Sequence, residues 1–246
     1  LPDGTARIAL GAAGGSVDER TQNAIAHRAT CRGPFAPLPD AAATVRSLSI
    51  APAPGTAVTF LTDRGRIAQF ADLIREGTRL AYADRGFCVE HAQWLRSHWT
   101  RRLDGIPGYA IGIPPLLSLL LPTLLKIKDA SAMRSKQEWK KAVEAPLFAL
   151  VTAEHDAPAG WSAAGVTLER LLIAATAQGL AQSPSAAAIE MGGFASRVVA
   201  LFETSGTPQL AVRLGRAELP RRQTPRLPPE HFTTWENPTV SPPSAI

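Results

Sequence analysis

The run Leu147-Phe148-Ala149-Leu150-Val151-Thr152 restricts the fold more than any other stretch of this chain. It is continuously apolar, so a strand built from it must be covered on both faces. Pro146 precedes it, and a loop with Pro158 and Gly160 follows. The clearest helical pattern comes next, with Leu168, Leu171, Leu172 and Ala175 at helical spacing, Ser162 as N-cap and Gly179 as stop. Phe194, Val198 and Leu201 define another amphipathic helix ended by Gly206, and Leu210–Leu214 reads as a strand. A soluble α/β (α+β) fold is expected, a central sheet flanked by helices.

Upstream, a helical pattern starts at Glu19, and Pro34, Pro37 and Pro39 stop it. Asp40 can cap a short helix carrying Val45 and Leu48, and Val58–Leu61 reads as a strand. Asp63 begins a helix with Ile67, Phe70, Ala71 and Ile74 on one face, and a further helix is expected to hold Val89, Trp94, Leu95 and Trp99. The stretch from Asp104 to Lys128 differs, being leucine-rich and interrupted by Pro107, Pro114, Pro115 and Pro122. A spanning helix wants about 20 uninterrupted apolar residues. The prolines deny it that length, so no transmembrane span is expected and the segment reads as a Pro/Leu-rich, lid-like insertion over residues 104–145. Within it, Asp129–Val143 forms a charged helix anchored by Met133, Trp139 and Val143.

The net charge of +5 raises the question of nucleic acid. The arginines are dispersed, only Arg221-Arg222 with Arg226 cluster, and no RNP, zinc-finger or helix-turn-helix spacing occurs. A solvated basic surface, with no nucleic-acid partner, is the reading adopted. Cys31 and Cys88 give neither a disulfide framework nor metal-ligand spacing, which suits a reducing cytoplasm. No GxGxxG, P-loop, HExxH, GxSxG or CxxC occurs, and His27, His91, His98, His155 and His231 are scattered. No signal peptide precedes the fold, and Leu1 in place of Met suggests a chain that was processed or that lacks its natural N-terminus.

Several segments, taken in order, carry a family resemblance. Trp161–Leu180 is similar to the core helix of the nitroreductase family, which starts with small residues and ends at Gly-Leu. Ala186–Phe194 resembles the loop that follows it. Pro208-Gln209-Leu210-Ala211-Val212-Arg213-Leu214-Gly215 is similar to the Pro-Gln-x-x-x-Arg-x-Gly strand of the Acg-like branch, and Thr224–Pro229 to its closing Arg-x-Pro segment. Arg28-Ala29-Thr30-Cys31-Arg32-Gly33-Pro34-Phe35 resembles the Arg-x-Ser/Thr-x-Arg start of such a domain.

The resemblance implies an FMN-dependent oxidoreductase that takes hydride from NAD(P)H and reduces a nitroaromatic, quinone or similar small acceptor. A catalytically degenerate, flavin-holding or stress-response protein with an incomplete or occluded site is the alternative. Acg-like proteins resemble two fused half-domains. On that pattern residues 1–17 are a remnant strand (Ala6–Leu10) and linker of a first half, 18–230 are the nitroreductase-like domain, and 231–246 are an irregular tail. A missing N-terminal half or a second subunit would complete the site, since no Asn-x-Gln-Pro-Trp motif occurs. The implied phosphate clamp is Arg28, Thr30 and Arg32, with Arg222 and Arg226 approaching from the C-terminal segment; surface ion pairs and a basic tail are the plainer readings of these arginines. Glu190, Met191 and Gly192 would present backbone N–H groups to the flavin ring, or form an ordinary turn. No acid/base residue is assigned, because the flavin carries the hydride chemistry.

Overall fold

The computed structural model describes residues 18–48, 50–218, 224, 227–231 and 233–234. In chain order α1 (Glu19–His27) and α2 (Ala41–Ser47) precede β1 (Thr56–Leu61), α3 (Arg64–Ala83) and α4 (Arg85–Trp94). A short pair, β2 (Leu95–Arg96) and β3 (Ile106–Pro107), leads to α5 (Pro115–Ile127) and α6 (Ser131–Val143). Then come β4 (Leu147–Ala153), α7 (Pro158–Ala177), β5 (Ala181–Ser185), α8 (Ala187–Glu190), α9 (Ala195–Phe202) and β6 (Thr207–Gly215). The strands of the main sheet lie in the order β1-β4-β6-β5, every neighbouring pair antiparallel.

The helix starts follow from local chemistry. The carboxylates of Asp18, Asp40, Asp63 and Asp84 accept from the amides of Thr21, Ala43, Arg66 and Phe87, so α1, α2, α3 and α4 each begin on an aspartate. Each such cap contributes about 1 kcal/mol. β4 is buried along its whole length, as its apolar run requires. Phe148 and Leu150 face a core built by α3, α6, α8 and α9, while Leu147, Ala149 and Val151 face α2 and α7. The sheet is therefore a middle layer with helices on both sides. A smaller cluster of Cys88, Ala92, Leu95 and Leu125 joins α4 to α5 beside the C-terminal end of α3.

Several expectations need correction. α4 ends at Trp94, and Trp99 lies beyond it, because Leu95-Arg96 turns extended and pairs with Ile106-Pro107. α7 begins at Pro158 after an Ala157 cap, a full turn before Ser162; proline suits that first position, where no amide partner is needed. Met133 is exposed and anchors nothing, whereas Trp139 and Val143 pack on the main core. Within residues 104–145, α6 packs on the main core beside α3, while α5 joins the smaller cluster with α4. Arg64 fixes α6 in place by donating to the carbonyls of Val143 and Ala145 at its C-terminal end. Among the described residues no helix is long and apolar enough to cross a membrane. The expected strand at Ala6–Leu10 and most of the expected tail lie outside the described residues.

One buried polar contact ties α7 to the sheet. Thr167, fully buried, accepts from the Ala53 amide at 2.9 Å and shares a 2.6 Å hydrogen bond with the Thr56 hydroxyl. Thr167→Val keeps the shape but orphans the amide, so a loss of about 1–2 kcal/mol is expected in urea unfolding. An unchanged midpoint would mean that water replaces the hydroxyl.

Candidate functional site

The Arg28–Arg32 segment lies along the free edge of β5. Arg28 terminates α1, and the chain then extends so that Thr30 bridges Gln182 in parallel and the Cys31 amide donates to the Gln182 carbonyl at 2.8 Å. The two arginines then meet different neighbours. Arg28 is engaged on α7, its Nε 2.8 Å from a carboxylate oxygen of Glu169. Arg32 is half-buried and has no hydrogen bond or ion pair among the described residues. Burial lowers the pKa of Arg32, and the charge of Glu138 on α6 partly opposes that. A desolvated guanidinium without an anion is costly, and Arg32 is the member of the trio best placed to gain from one.

Around Arg32 the structure assembles a group that sequence spacing did not reveal. His91 on α4 lies against the rings of Phe87 and Tyr82, and Arg134 of α6 sits over the Tyr82 ring. Burial, and then the charges of Arg134 and Arg32, push the His91 pKa down, which keeps the imidazole neutral near pH 7. His91 is therefore not one more scattered surface histidine. Tyr82 and Phe87 lie close to it in sequence, but Arg134 and Arg32 come from distant segments, so the neighbouring charges are not visible in the local sequence. Arg213 belongs with this group as well. It is a buried cation on an inward-facing position of β6, and a charge inside an apolar strand pattern is the feature that marks it.

The second predicted element, Glu190, Met191 and Gly192, follows α8. Glu190 is exposed and Met191 is extended, half-buried and outside the helix. Gly192 and Gly193 both have positive φ, +73° and +66°. At Gly192 a Cβ would stand 2.5 Å from the Phe194 ring and 3.0 Å from Leu80 of α3. The amides of Gly192 and Gly193 have no partner among the described residues. Two successive left-handed glycines with free N–H groups form a concavity suited to a polar ligand atom. α3 connects the two elements, with Leu80 beneath the glycines and Tyr82 beside His91. Arg222 and Arg226 lie outside the described residues. Cys31 and Cys88 are both buried, burial pushes the Cys88 thiol up, and no cluster able to hold a metal occurs among the described residues.

Neither a protein-family model nor a curated protein matches the sequence. Solved structures do match the fold. A nitroreductase with bound FMN from Desulfitobacterium hafniense superposes with a TM-score of 0.52 at 14% identity, over 90% of this chain and all of that one. The FMN-dependent nitroreductase NfnB from Mycobacterium smegmatis, in complex with NADPH, gives a TM-score of 0.54 at 18% identity, over 89% of this chain and 99% of that one. Iodotyrosine deiodinase bound to FMN and 3-iodo-L-tyrosine gives 0.52 at 18%, over 85% and 95%. The antiparallel sheet flanked by helices is thus the nitroreductase fold.

Proposed function

We propose that this chain binds FMN and acts as an oxidoreductase of nitroreductase type, moving hydride from NAD(P)H to a nitroaromatic, quinone or similar small acceptor in the cytoplasm. The observation that carries the reading is Arg32, a half-buried guanidinium with no ion pair among the described residues, held beside Thr30 on the β5 edge. Several proteins of this fold hold FMN. When bound, the flavin supplies a ring that accepts and releases a hydride.

The residues present fit such a group. Arg32 and the Thr30 hydroxyl supply a cation and a donor for a phosphate. Arg28 joins them only by leaving Glu169. The paired N–H groups of Gly192 and Gly193 suit the polar edge of the ring, and neutral His91 between aromatic rings adds a donor without adding charge. Arg222 and Arg226 would reach the phosphate from the C-terminal segment, on the resemblance to the Acg-like branch. A second subunit or a preceding half-domain would supply the other wall of the ring site. A flavin-holding protein of low turnover is the second reading, favoured by the Arg28–Glu169 ion pair, which occupies one of the three clamp residues.

Titration with FMN followed by desalting and flavin absorbance tests both. Arg32→Ala is expected to weaken binding by about ten- to a hundredfold, as for a lost charge-assisted hydrogen bond. Arg28→Ala should cost less, and Glu169→Gln should tighten binding by freeing Arg28. Equal affinity in the parent and Arg32→Ala would remove the phosphate assignment. Retained flavin without NAD(P)H oxidation in the presence of a quinone would select the second reading.

A further inference from the structure

Two stretches that the flavin reading leaves without a task meet in the fold: Gly33-Pro34-Phe35, directly after Arg32, and Arg213-Leu214-Gly215. Arg213 lies on the α3/α6 side of β6 and is 5% exposed. Its Nη1 donates to the Lys141 carbonyl at 3.0 Å, and its Nη2 donates to the Gly33 carbonyl at 3.1 Å. The guanidinium carbon stands 4.3 Å from the centroid of the Phe35 ring. No carboxylate pairs with it among the described residues, so neutral carbonyls and a ring face hold this buried cation.

Gly215 follows on the same face of the strand. A Cβ there would lie 2.7 Å from Pro146 Cγ and 3.1 Å from both Cβ and Cδ2 of Phe35. The Phe35 side chain is 6% exposed, seated where β6 lacks a side chain and covered by the guanidinium two residues earlier. The surrounding chain is pinned on both sides of Arg32: the Cys31 amide donates to Gln182, and the Ala36 amide donates to the Arg216 carbonyl at 2.7 Å. Arg32 sits between these pins, immediately before the carbonyl that Arg213 holds.

We propose that Arg213 and Gly215 form a receptor for Phe35 that fixes the Arg32 guanidinium toward the anionic end of the flavin, making Arg213 a positioning residue. The role rests on the function proposed above. The planar fork explains why arginine is used: one face covers the ring while two N–H groups reach carbonyls on different elements, which a lysine ammonium cannot do. It also explains the glycine two residues later, which the close approach of Phe35 demands. The Arg-x-Gly strand and the Arg-Gly-Pro-Phe turn are then two halves of one device.

His91 reports on the position of Arg32 without flavin. Arg32 and Arg134 are the charges that lower its pKa, beside the rings of Tyr82 and Phe87. Displacing Arg32 relieves one repulsion, so the His91 pKa rises. The experiment uses the full chain with Phe35→Leu, Arg213→Met and Arg213→Lys, following the His91 titration by NMR without flavin and then titrating FMN. Phe35→Leu and Arg213→Met are expected to move the His91 titration upward and to weaken FMN binding about tenfold, the size of one lost charged hydrogen bond. Arg213→Lys should stay nearer to Arg213→Met than to the parent. Should Arg213→Met fail to fold, Phe35→Leu, which removes only the ring, decides. Parent-like FMN affinity in Phe35→Leu, or an unmoved His91 titration, overturns the proposal. A parent that takes up no FMN overturns the function itself, and the His91 titration then judges the clamp alone.

Discussion

Gly77→Ala is expected to destabilise the protein by about 3 kcal/mol, the upper part of the range for overpacking a close contact. Gly77 lies inside α3, where alanine is intrinsically favoured over glycine by about 1 kcal/mol. Packing opposes that preference. A Cβ at this position would stand 2.1 Å from the Ala187 carbonyl oxygen, 2.6 Å from its carbon and 3.2 Å from the Ala188 nitrogen. All three are backbone atoms, so no rotamer change relieves the clash and α8 must move as a body. The loop carrying Gly192 and Gly193 follows α8 directly and would move with it. Chemical denaturation should show a lowered midpoint, and amide exchange should quicken between residues 186 and 194. A stabilised Gly77→Ala protein would mean that α8 does not dock here.

Phe70→Ala should cost about 3–5 kcal/mol, as for a large aromatic removed from a site that cannot collapse. Phe70 is fully buried and meets two other rings edge-on, Phe148 at 5.0 Å and Phe202 at 5.2 Å. These rings belong to α3, β4 and α9, so the cavity would open at the centre of the larger core. Neighbouring helices are held by their own contacts, which limits relaxation into the gap. Phe70→Leu, which keeps part of the volume, should lose less than half as much. A Phe70→Ala variant melting within a few degrees of the parent would show that the core closes over the void.

The parts of this fold that were legible in the sequence are those set by local chemistry. The β4 run announces two-sided burial by its own composition, and the aspartates at 40 and 63 announce helix starts through caps that need only three further residues. β5 was not legible. Gln182-Ser183-Pro184-Ser185 has the composition of a turn, and it becomes a strand only because β6 offers a pairing edge. The candidate site divides similarly. Arg28, Thr30 and Arg32 stand out by alternate spacing, yet the carboxylate that engages Arg28 comes from Glu169 of α7, which no spacing rule connects to it. Arg213 acquires meaning only from partners on other elements, and His91 largely so, through Tyr82 of α3 and Arg134 of α6. Sequence patterns report what a residue needs; the fold decides which distant neighbour supplies it.

The strand order has a kinetic consequence. Among the described residues the main sheet contains no tight hairpin. β1 is separated from β4 by α3 through α6, and even β5 and β6 are separated by α8 and α9. Every ladder therefore closes a long loop before its hydrogen bonds can form, and such non-local topologies fold slowly. The α3–α4 and β4–α7 units are local and can form early, but the Thr30–Gln182 bridge needs a finished β5 edge, which itself waits for β6. The segment that carries Arg32 would be the last to lock during folding and the first to loosen under stress. Ligand competence would then lag behind the recovery of helical signal in a refolding experiment, with a delay set by topology.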